Sequence, residues 1–222
     1  MEIKLRQNIL AANDKLAAKL KEIFENKGIY VINLMASPGA GKTSFILQTI
    51  EALKDDLNVA VIEGDIASKV DAEKVREHGV AAIQINTGGA CHLDANMIRG
   101  ALNMLDLDSL DIIIIENVGN LVCPVEFDLG ETVKMVILSV PEGDDKPLKY
   151  PSIFVESEVL VLNKIDLLDY VDFNLESLEN GLNGLNPAIN IFKVSCKYAS
   201  GIDEWASWLK GQIRKKSKFL TD

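Results

Sequence analysis

Apolar runs of strand length alternate with amphipathic stretches along this chain. The runs lie at 29–35, 58–63, 81–86, 112–115, 133–140, 159–162 and 190–194. Several of them are continuously apolar, which is typical of strands that are buried on both faces of a parallel sheet. The alternation of such strands with helical segments predicts an α/β fold, in which a mostly parallel sheet carries helices on both faces.

The predicted helices begin with a long amphipathic stretch from Leu5 to Asn26, which ends before Gly28. We expect this N-terminal helix, taken as residues 1–28, to pack on or beside the core. Further helices are predicted at 44–54, 68–78, 94–105 and 202–216. The polar segment from Pro141 to Pro151 contains three prolines and is predicted to be an ordered or switchable loop.

A phosphate-binding loop is predicted at 36–43, where Ala-Ser-Pro-Gly-Ala-Gly-Lys-Thr separates the first strand from a helix. Glycines let successive N–H groups point at an anion, and the helix start adds unpaired donors. The pattern usually begins with Gly, where this chain has Ala36. The candidate phosphate-binding residues are Gly39, Ala40, Gly41, Lys42, Thr43 and Ser44. Residues 29–222 are therefore predicted to form a P-loop nucleoside triphosphatase domain.

An acidic residue at the end of a buried strand is typical of the second sequence element of nucleoside triphosphatases. Glu116 follows 112–115, and Gly119 is placed where its N–H could meet a γ-phosphate. We expect Thr43, Asp65 and Glu116 to hold Mg²⁺, and Lys42, Asp65 and Glu116 to be the catalytic groups. Asp65 has an equally good alternative as a helix cap.

Guanine specificity is predicted from Asn163-Lys164-Ile165-Asp166, which follows a strand and is similar to the base-recognition motif of GTPases. A carboxylate accepts hydrogen bonds from guanine N1–H and the N2 amine, which adenine lacks. Ser195, Cys196 and Lys197 resemble the final GTPase element, which backs the base. The residue after Gly119 is Asn120 rather than Gln, so we expect one subunit to hydrolyse GTP slowly. A second subunit or a partner is expected to complete the catalytic site.

Composition narrows the possible partners. A net charge of −10 argues against nucleic-acid binding, and the longest apolar runs are too short to span a membrane. The charged start has no signal region, so we expect a cytoplasmic protein. The three cysteines are an odd number, which makes disulfides an unattractive explanation for them.

Cys91, His92 and Cys123 are candidate ligands for Zn²⁺ or Ni²⁺, because they follow two parallel strands at the edge where the nucleotide motifs gather. Adjacent Cys and His are poorly spaced for a self-contained zinc finger, which favours a site shared across a dimer. The alternative is a pair of ordinary buried thiols and a hydrogen-bonded histidine.

Three runs of residues, at 91–94, 116–124 and 142–151, have a combined pattern of Cys, His, Gly and Pro. Together they resemble the HypB family, the nickel-insertion GTPases of [NiFe]-hydrogenase maturation. The resemblance implies a P-loop class that dimerises face to face across its nucleotides (the SIMIBI class), with Cys91, His92 and Cys123 at a GTP-promoted dimer interface. It also implies a nickel-delivery partner protein and a hydrogenase large-subunit precursor as partners. The first ninety residues hold no Cys and only His78, so an N-terminal nickel motif of the kind found in some members is not expected.

Two other functions fit the same motifs. One is a GTPase chaperone for another metalloenzyme, of the urease or cobalamin-enzyme helper type. The other is a passive metal-binding dimer module in which the nucleotide is structural. The expected ligands are GTP or GDP, Mg²⁺, and Zn²⁺ or Ni²⁺.

Overall fold

A seven-stranded parallel sheet, ordered β3-β2-β4-β1-β5-β6-β7, forms the centre of the molecule. The computed structural model describes residues 2–65 and 70–218, with side chains over 7–64 and 73–216. The strands are β1 (Tyr30–Ala36), β2 (Val59–Asp65), β3 (Ala81–Asn86), β4 (Ile112–Glu116), β5 (Val133–Ser139), β6 (Val159–Asn163) and β7 (Asn190–Lys193). Both the α/β class and the parallel sheet are confirmed.

Helices cover both faces of this sheet. They are α1 (Glu2–Asn26), α2 (Lys42–Leu53), α3 (Val70–Glu77), α4 (Ala95–Leu102), α5 (Lys146–Lys149), α6 (Pro151–Val155), α7 (Leu175–Leu185) and α8 (Ile202–Lys218). Short 3₁₀ turns lie at 107–109, 124–126, 140–142 and 165–170. No helix in the described ranges is long and apolar enough to cross a bilayer.

The side chains of β1 alternate between the two faces of the sheet, and its apolar residues lie in three cores, with Met35 in the third. Tyr30, Ile32 and Leu34 pack with residues of α2 and α8 on one face. Ile29 and Val31 pack with α1 and α4 on the other face. Each such fully buried side chain contributes about 1.5–3 kcal/mol of hydrophobic stabilisation, so β1 is held firmly at the centre of the sheet. A third apolar cluster joins β5 and β6 to α6 and α7.

The N-terminal helix α1 shares the second of these cores. Ala17, Leu20 and Phe24 are almost fully buried against the sheet and α4. Close approach is possible at Gly130, where a Cβ would lie 2.8 Å from the Ala17 carbonyl oxygen. The division of the chain after residue 28 remains a prediction, although α1 buries its apolar face on the strands that follow it.

The segment 141–151 is more helical than the sequence suggested. Pro141, Pro147 and Pro151 each stand at the first or second position of a helix. Proline is tolerated there because those N–H groups have no partner within the helix. The prolines therefore start short helices in this segment instead of marking a loop.

Helix α7 was not predicted from the sequence. Its apolar positions are only four leucines in eleven residues, and Gly181 and Gly184 weaken the helical signal. Leu178 and Leu182 are nevertheless buried, and the Asn174 side chain caps the helix by accepting from the Ser177 N–H. Tertiary packing of one apolar stripe is what stabilises this helix.

Candidate nucleotide and metal site

The predicted phosphate loop joins the buried end of β1 to the start of α2. Gly39 and Gly41 have φ angles of 79° and 99°, in the left-handed region that favours glycine. A Cβ at Gly41 would lie 2.4 Å from Asn163 Nδ2, so side-chain space as well as conformation requires glycine there. Ala36 is fully buried at the strand end, where a methyl group fits.

Two of the predicted base-recognition residues donate hydrogen bonds to backbone carbonyl groups of this loop. Asn163 Nδ2 donates to the Ala40 carbonyl at 3.0 Å, and Lys164 Nζ donates to the Gly39 carbonyl at 2.7 Å. Lys164 itself has a φ of 62°, an uncommon conformation for a residue with a side chain. Ala40 and Asn163 are 123 residues apart in the sequence, yet the two motifs form one hydrogen-bonded unit.

A cavity of about 550 Å³ lies over the phosphate loop. Its lining includes Pro38, Gly39, Gly41, Lys42, Thr43, Ser44, Glu63, Gly64, Lys74, Glu116, Asn117, Val118, Gly119 and Lys164. Sequence analysis assigned no individual role to Glu63, Gly64, Lys74 or Asn117, although the segments 63–65 and 116–123 are both expected at this edge of the sheet. Glu63 pairs with Glu116 across the parallel β2–β4 ladder, so strand register is the signal that could have found it.

Glu116 approaches both functional side chains of the phosphate loop. Thr43 Oγ1 donates to Glu116 Oε1 at 3.4 Å, and Lys42 Nζ lies 4.0 Å from the same oxygen. A carboxylate and a hydroxyl placed together beside a phosphate loop could bind Mg²⁺ directly or through water. Asp65 ends β2, but its side chain lies outside the described residues.

The loop after Glu116 lies directly against the phosphate loop. A Cβ on Gly119 would come within 3.0 Å of Pro38 Cγ and 3.2 Å of Pro38 N. This close contact places the Gly119 backbone beside the phosphate cavity, as its sequence position predicts.

A second cavity of about 420 Å³ adjoins the first and shares Gly41, Ser44 and Lys164 with it. The rest of its lining is Asn163, Asp166, Leu167, Cys196 and Lys197. Asp166 Oδ1 accepts from Ser195 Oγ at 2.6 Å, which orients the carboxylate. Burial raises the pKa of the Cys196 thiol to about 11, so this residue is a neutral wall of the cavity at physiological pH. Two adjoining cavities with these linings suit the phosphates and the base of one nucleotide.

The structure brings Cys91, His92 and Cys123 together. Their ligand atoms all lie within 4.8 Å of one another, and Cys91 Sγ is 3.6 Å from His92 Nδ1. Small side-chain rotations could place all three on one ion, because Zn–S and Zn–N bonds are about 2.3 and 2.1 Å long. The His92 ring stacks on Phe127 with centroids 3.8 Å apart, which restrains the imidazole.

Without a bound metal, His92 and Cys123 are favoured in their neutral forms. Burial lowers the pKa of His92, so the imidazole is mostly neutral at pH 7. A hydrogen bond with Cys91, together with burial, raises the pKa of the Cys123 thiol. A thiophilic ion that binds here must displace thiol protons.

Asn120 ties the two cysteine-bearing loops to each other. Its Nδ2 donates to the Cys91 carbonyl at 3.3 Å, and its Oδ1 accepts from the Val122 N–H at 2.8 Å. Sequence analysis noted this residue only as the position where Gln is absent.

Comparisons with known proteins agree with this geometry. Residues 30–193 match the family model of the CobW/HypB/UreG nucleotide-binding domain. The hydrogenase maturation factor HypB of Azotobacter vinelandii is 47% identical over 210 residues, which cover 95% of this chain and 69% of that protein. The hydrogenase/urease maturation factor HypB of Helicobacter pylori J99 is 42% identical, with 96% of this chain and 89% of that protein covered.

Solved structures give the same result. The crystal structure of Helicobacter pylori HypB in complex with nickel superposes with a TM-score of 0.88 at 40% identity, and covers 92% of this chain and 96% of that one. At 11% identity, the signal recognition particle 54 kDa protein of Aeropyrum pernix, in complex with GDP, shares the fold alone, with a TM-score of 0.55 over 86% of this chain and 49% of that one. These matches show that the chain belongs to the HypB family of hydrogenase maturation factors.

Proposed function

We propose that this chain is a GTP hydrolase that serves as a nucleotide-switched metallochaperone and assists nickel insertion into a [NiFe]-hydrogenase precursor. One observation carries the proposal. The loop from Glu116 to Cys123 borders the phosphate cavity at its start and contributes a ligand to the Cys91–His92–Cys123 cluster at its end. A nucleotide that reorders this loop would therefore move a metal ligand.

GTP would occupy the two adjoining cavities. Lys42 and the N–H groups of 39–44 would bind the phosphates, and Thr43, Asp65 and Glu116 would hold Mg²⁺. Asp166 would accept from guanine, with Ser195, Cys196 and Lys197 around the base. The observed geometry supports these roles, since Glu116 already contacts Thr43 and Asp166 is held by Ser195.

Turnover by one subunit would be slow. Asn120 stands where other GTPases position the attacking water with Gln, and here its amide is engaged by Cys91 and Val122. Lys42, Asp65 and Glu116 are the catalytic groups that remain, and a second subunit would complete the site.

The metal would be Ni²⁺ or Zn²⁺, since two thiolates and an imidazole suit both ions. Three ligands leave at least one position open. A second copy of the chain would supply the missing ligand in a GTP-dependent homodimer. A nickel-delivery partner and the hydrogenase large-subunit precursor are the proposed partners, in the cytoplasm and without nucleic acid, which the charge of −10 disfavours.

A second client enzyme is supported by one observation. The Helicobacter pylori relative is a hydrogenase/urease maturation factor and is matched over 89% of its length. A deletion strain separates the two: loss of hydrogenase activity alone, restored by added nickel, supports the first client, and parallel loss of urease activity supports both.

The decisive experiment measures Ni²⁺ affinity in the presence of GDP and of a non-hydrolysable GTP analogue. We expect the two affinities to differ, and the Cys123→Ser variant to lose nickel binding while retaining GTP affinity. Lys42→Ala should abolish GTP hydrolysis, and it is the control for contaminating activity. Equal nickel affinity and stoichiometry in both nucleotide states would leave only a passive metal-binding module.

A further inference from the structure

A chain of buried polar contacts runs behind the loop that follows Glu116. Asn117 is fully buried, and its Oδ1 accepts from the N–H groups of Leu93 at 3.1 Å and Val118 at 2.9 Å. Leu93 directly follows the ligand His92, and Asn117 itself lines the phosphate cavity. The Asn117 side chain thus links the loop that follows Glu116, beside the phosphate cavity, to the loop that carries Cys91 and His92.

The side chain of Asn117 is itself held in place from β1. Its Nδ2 donates to Asn33 Oδ1 at 3.1 Å, and Asn33 Nδ2 donates to Glu131 Oε1 at 3.1 Å. Asn33 is fully buried in an otherwise apolar strand. Because a buried amide without partners is strongly disfavoured, this arrangement selects one orientation of Asn117.

Asn13 of α1 links the turn at Asp128 to Ala95, which follows the loop that carries Cys91 and His92. Asn13 Nδ2 donates to the Asp128 carbonyl at 2.8 Å, and Asn13 Oδ1 accepts from the Ala95 N–H at 2.9 Å. The contacts of Asn13 and of Asn33 meet in the turn 128–131, where Glu131 Oε2 also accepts from the Leu129 N–H at 2.7 Å. We call Asn13, Asn33, Asn117 and Glu131 the buried polar ring.

Packing holds Leu93 from a second side. Its side chain is fully buried, and a Cβ on Gly64 would lie 2.7 Å from Leu93 Cγ. Gly64 also lines the phosphate cavity. The residue after His92 is therefore seated between two residues of the nucleotide site, one holding its backbone and the other its side chain.

We propose that Asn117 is a positioning residue that couples the phosphate cavity to the Cys91–His92 loop, through its hydrogen bond to the Leu93 N–H. The inference rests on the proposed function, because it explains how nucleotide state reaches the ligands on the opposite loop. A shift of residues 116–118 must either carry Leu93 with it or leave a buried N–H without an acceptor. Cys123 moves with its own loop, and Asn117 makes Cys91 and His92 move as well.

The test compares Ni²⁺ affinity with saturating GDP and with a saturating non-hydrolysable GTP analogue. The wild-type ratio of the two should be about fivefold or more, within the usual range of coupling between sites. In Asn117→Ala the ratio should fall to within about twofold of unity, measured at nucleotide concentrations that saturate the variant. Thr49→Val is the matched control: Thr49 Oγ1 accepts from Trp205 Nε1 in the core, away from the ring, so this variant also removes a buried acceptor. It should keep the wild-type ratio.

Asn33→Ala provides an independent arm if Asn117→Ala does not fold. Asn33 lines neither cavity and is not a metal ligand, and its Oδ1 accepts from Asn117 Nδ2, so an effect on the ratio would reach the two sites through the buried polar ring. We expect its ratio to be lower than that of the wild type. If the wild type shows a clear ratio and these variants retain it, the role of Asn117 is overturned and the proposed function stands. If the wild type binds Ni²⁺ equally well with GDP and with the GTP analogue, both the role of Asn117 and the proposed function are contradicted.

Discussion

The carboxyl group of Glu131 has a pKa far from that of an exposed glutamate. Burial, with a smaller contribution from Asp128, raises the pKa of its carboxyl to about 7. In the unfolded chain the carboxyl has an ordinary pKa of about 4.3, so the folded protein binds this proton more tightly. The corresponding stability is complete below about pH 4.3 and is lost as the pH rises through about 7.

Glu131→Gln should remove this pH dependence. We expect the free energy of unfolding of the wild type to fall more between pH 5 and pH 8 than that of the variant, because only the wild type must ionise a buried carboxyl. Urea titrations at both pH values measure the difference. Identical slopes with pH in the two proteins would contradict the raised pKa.

Asp166 is the residue on which guanine specificity is proposed to depend. Asp166→Asn replaces an acceptor-only group with one that also donates, so GTP affinity should fall roughly 100-fold or more and affinity for xanthosine triphosphate should rise. Competition binding with both nucleotides measures the change. Asp169→Asn lies on the same 3₁₀ turn but does not line the base cavity, so it should leave the preference for GTP unchanged.

At the scale of elements, the site depends on the close approach of two loops at Gly119 and Pro38. Gly119→Ala would press a methyl group against Pro38, since the Cβ would have contacts of 3.0–3.3 Å with that residue. The loop after β4 must then move away from the phosphate loop. We expect GTP affinity to fall more than GDP affinity, because Gly119 is proposed to face the γ-phosphate.

Gly100→Ala is the control for that substitution. Gly100 lies in α4, where an added Cβ would meet nothing within 4 Å. It should leave nucleotide binding unchanged and stabilise the helix by about 0.5–1 kcal/mol. An equal loss of GTP and GDP affinity in Gly119→Ala would indicate a general loosening of the phosphate loop and would contradict the γ-phosphate contact.

At the scale of the whole molecule, the open position of the proposed metal site and the slow hydrolysis proposed for one subunit have the same explanation, a missing component. Both would be supplied by a second copy of the chain. GTP turnover per subunit should therefore rise with protein concentration, and sedimentation should show a dimer with the GTP analogue that weakens with GDP. A turnover number that stays constant as the concentration increases would show that one subunit holds the complete catalytic site.

The sequence alone determined the sheet class, the phosphate loop, the base motif and the metal triad. These features are readable because each follows from neighbours along the chain: an apolar run, a glycine turn, or a short motif at the end of a strand. Even Cys91 and Cys123 could be brought together, since the ends of parallel strands share one edge of the sheet. The helices of 141–151 and α7 escaped prediction, because proline position and packing outweighed local propensity.

Only the tertiary structure revealed the buried polar ring. Asn13, Asn33 and Asn117 lie on a helix, a strand and a loop that are far apart in sequence, and an asparagine in an apolar strand carries no sign of its partner. Hydrogen-bond partners depend on the relative placement of whole elements to within a few tenths of an ångström, which periodicity cannot supply. The sequence therefore determined which chemistry is proposed for the two sites, and only the fold shows the buried hydrogen bonds that lie between them.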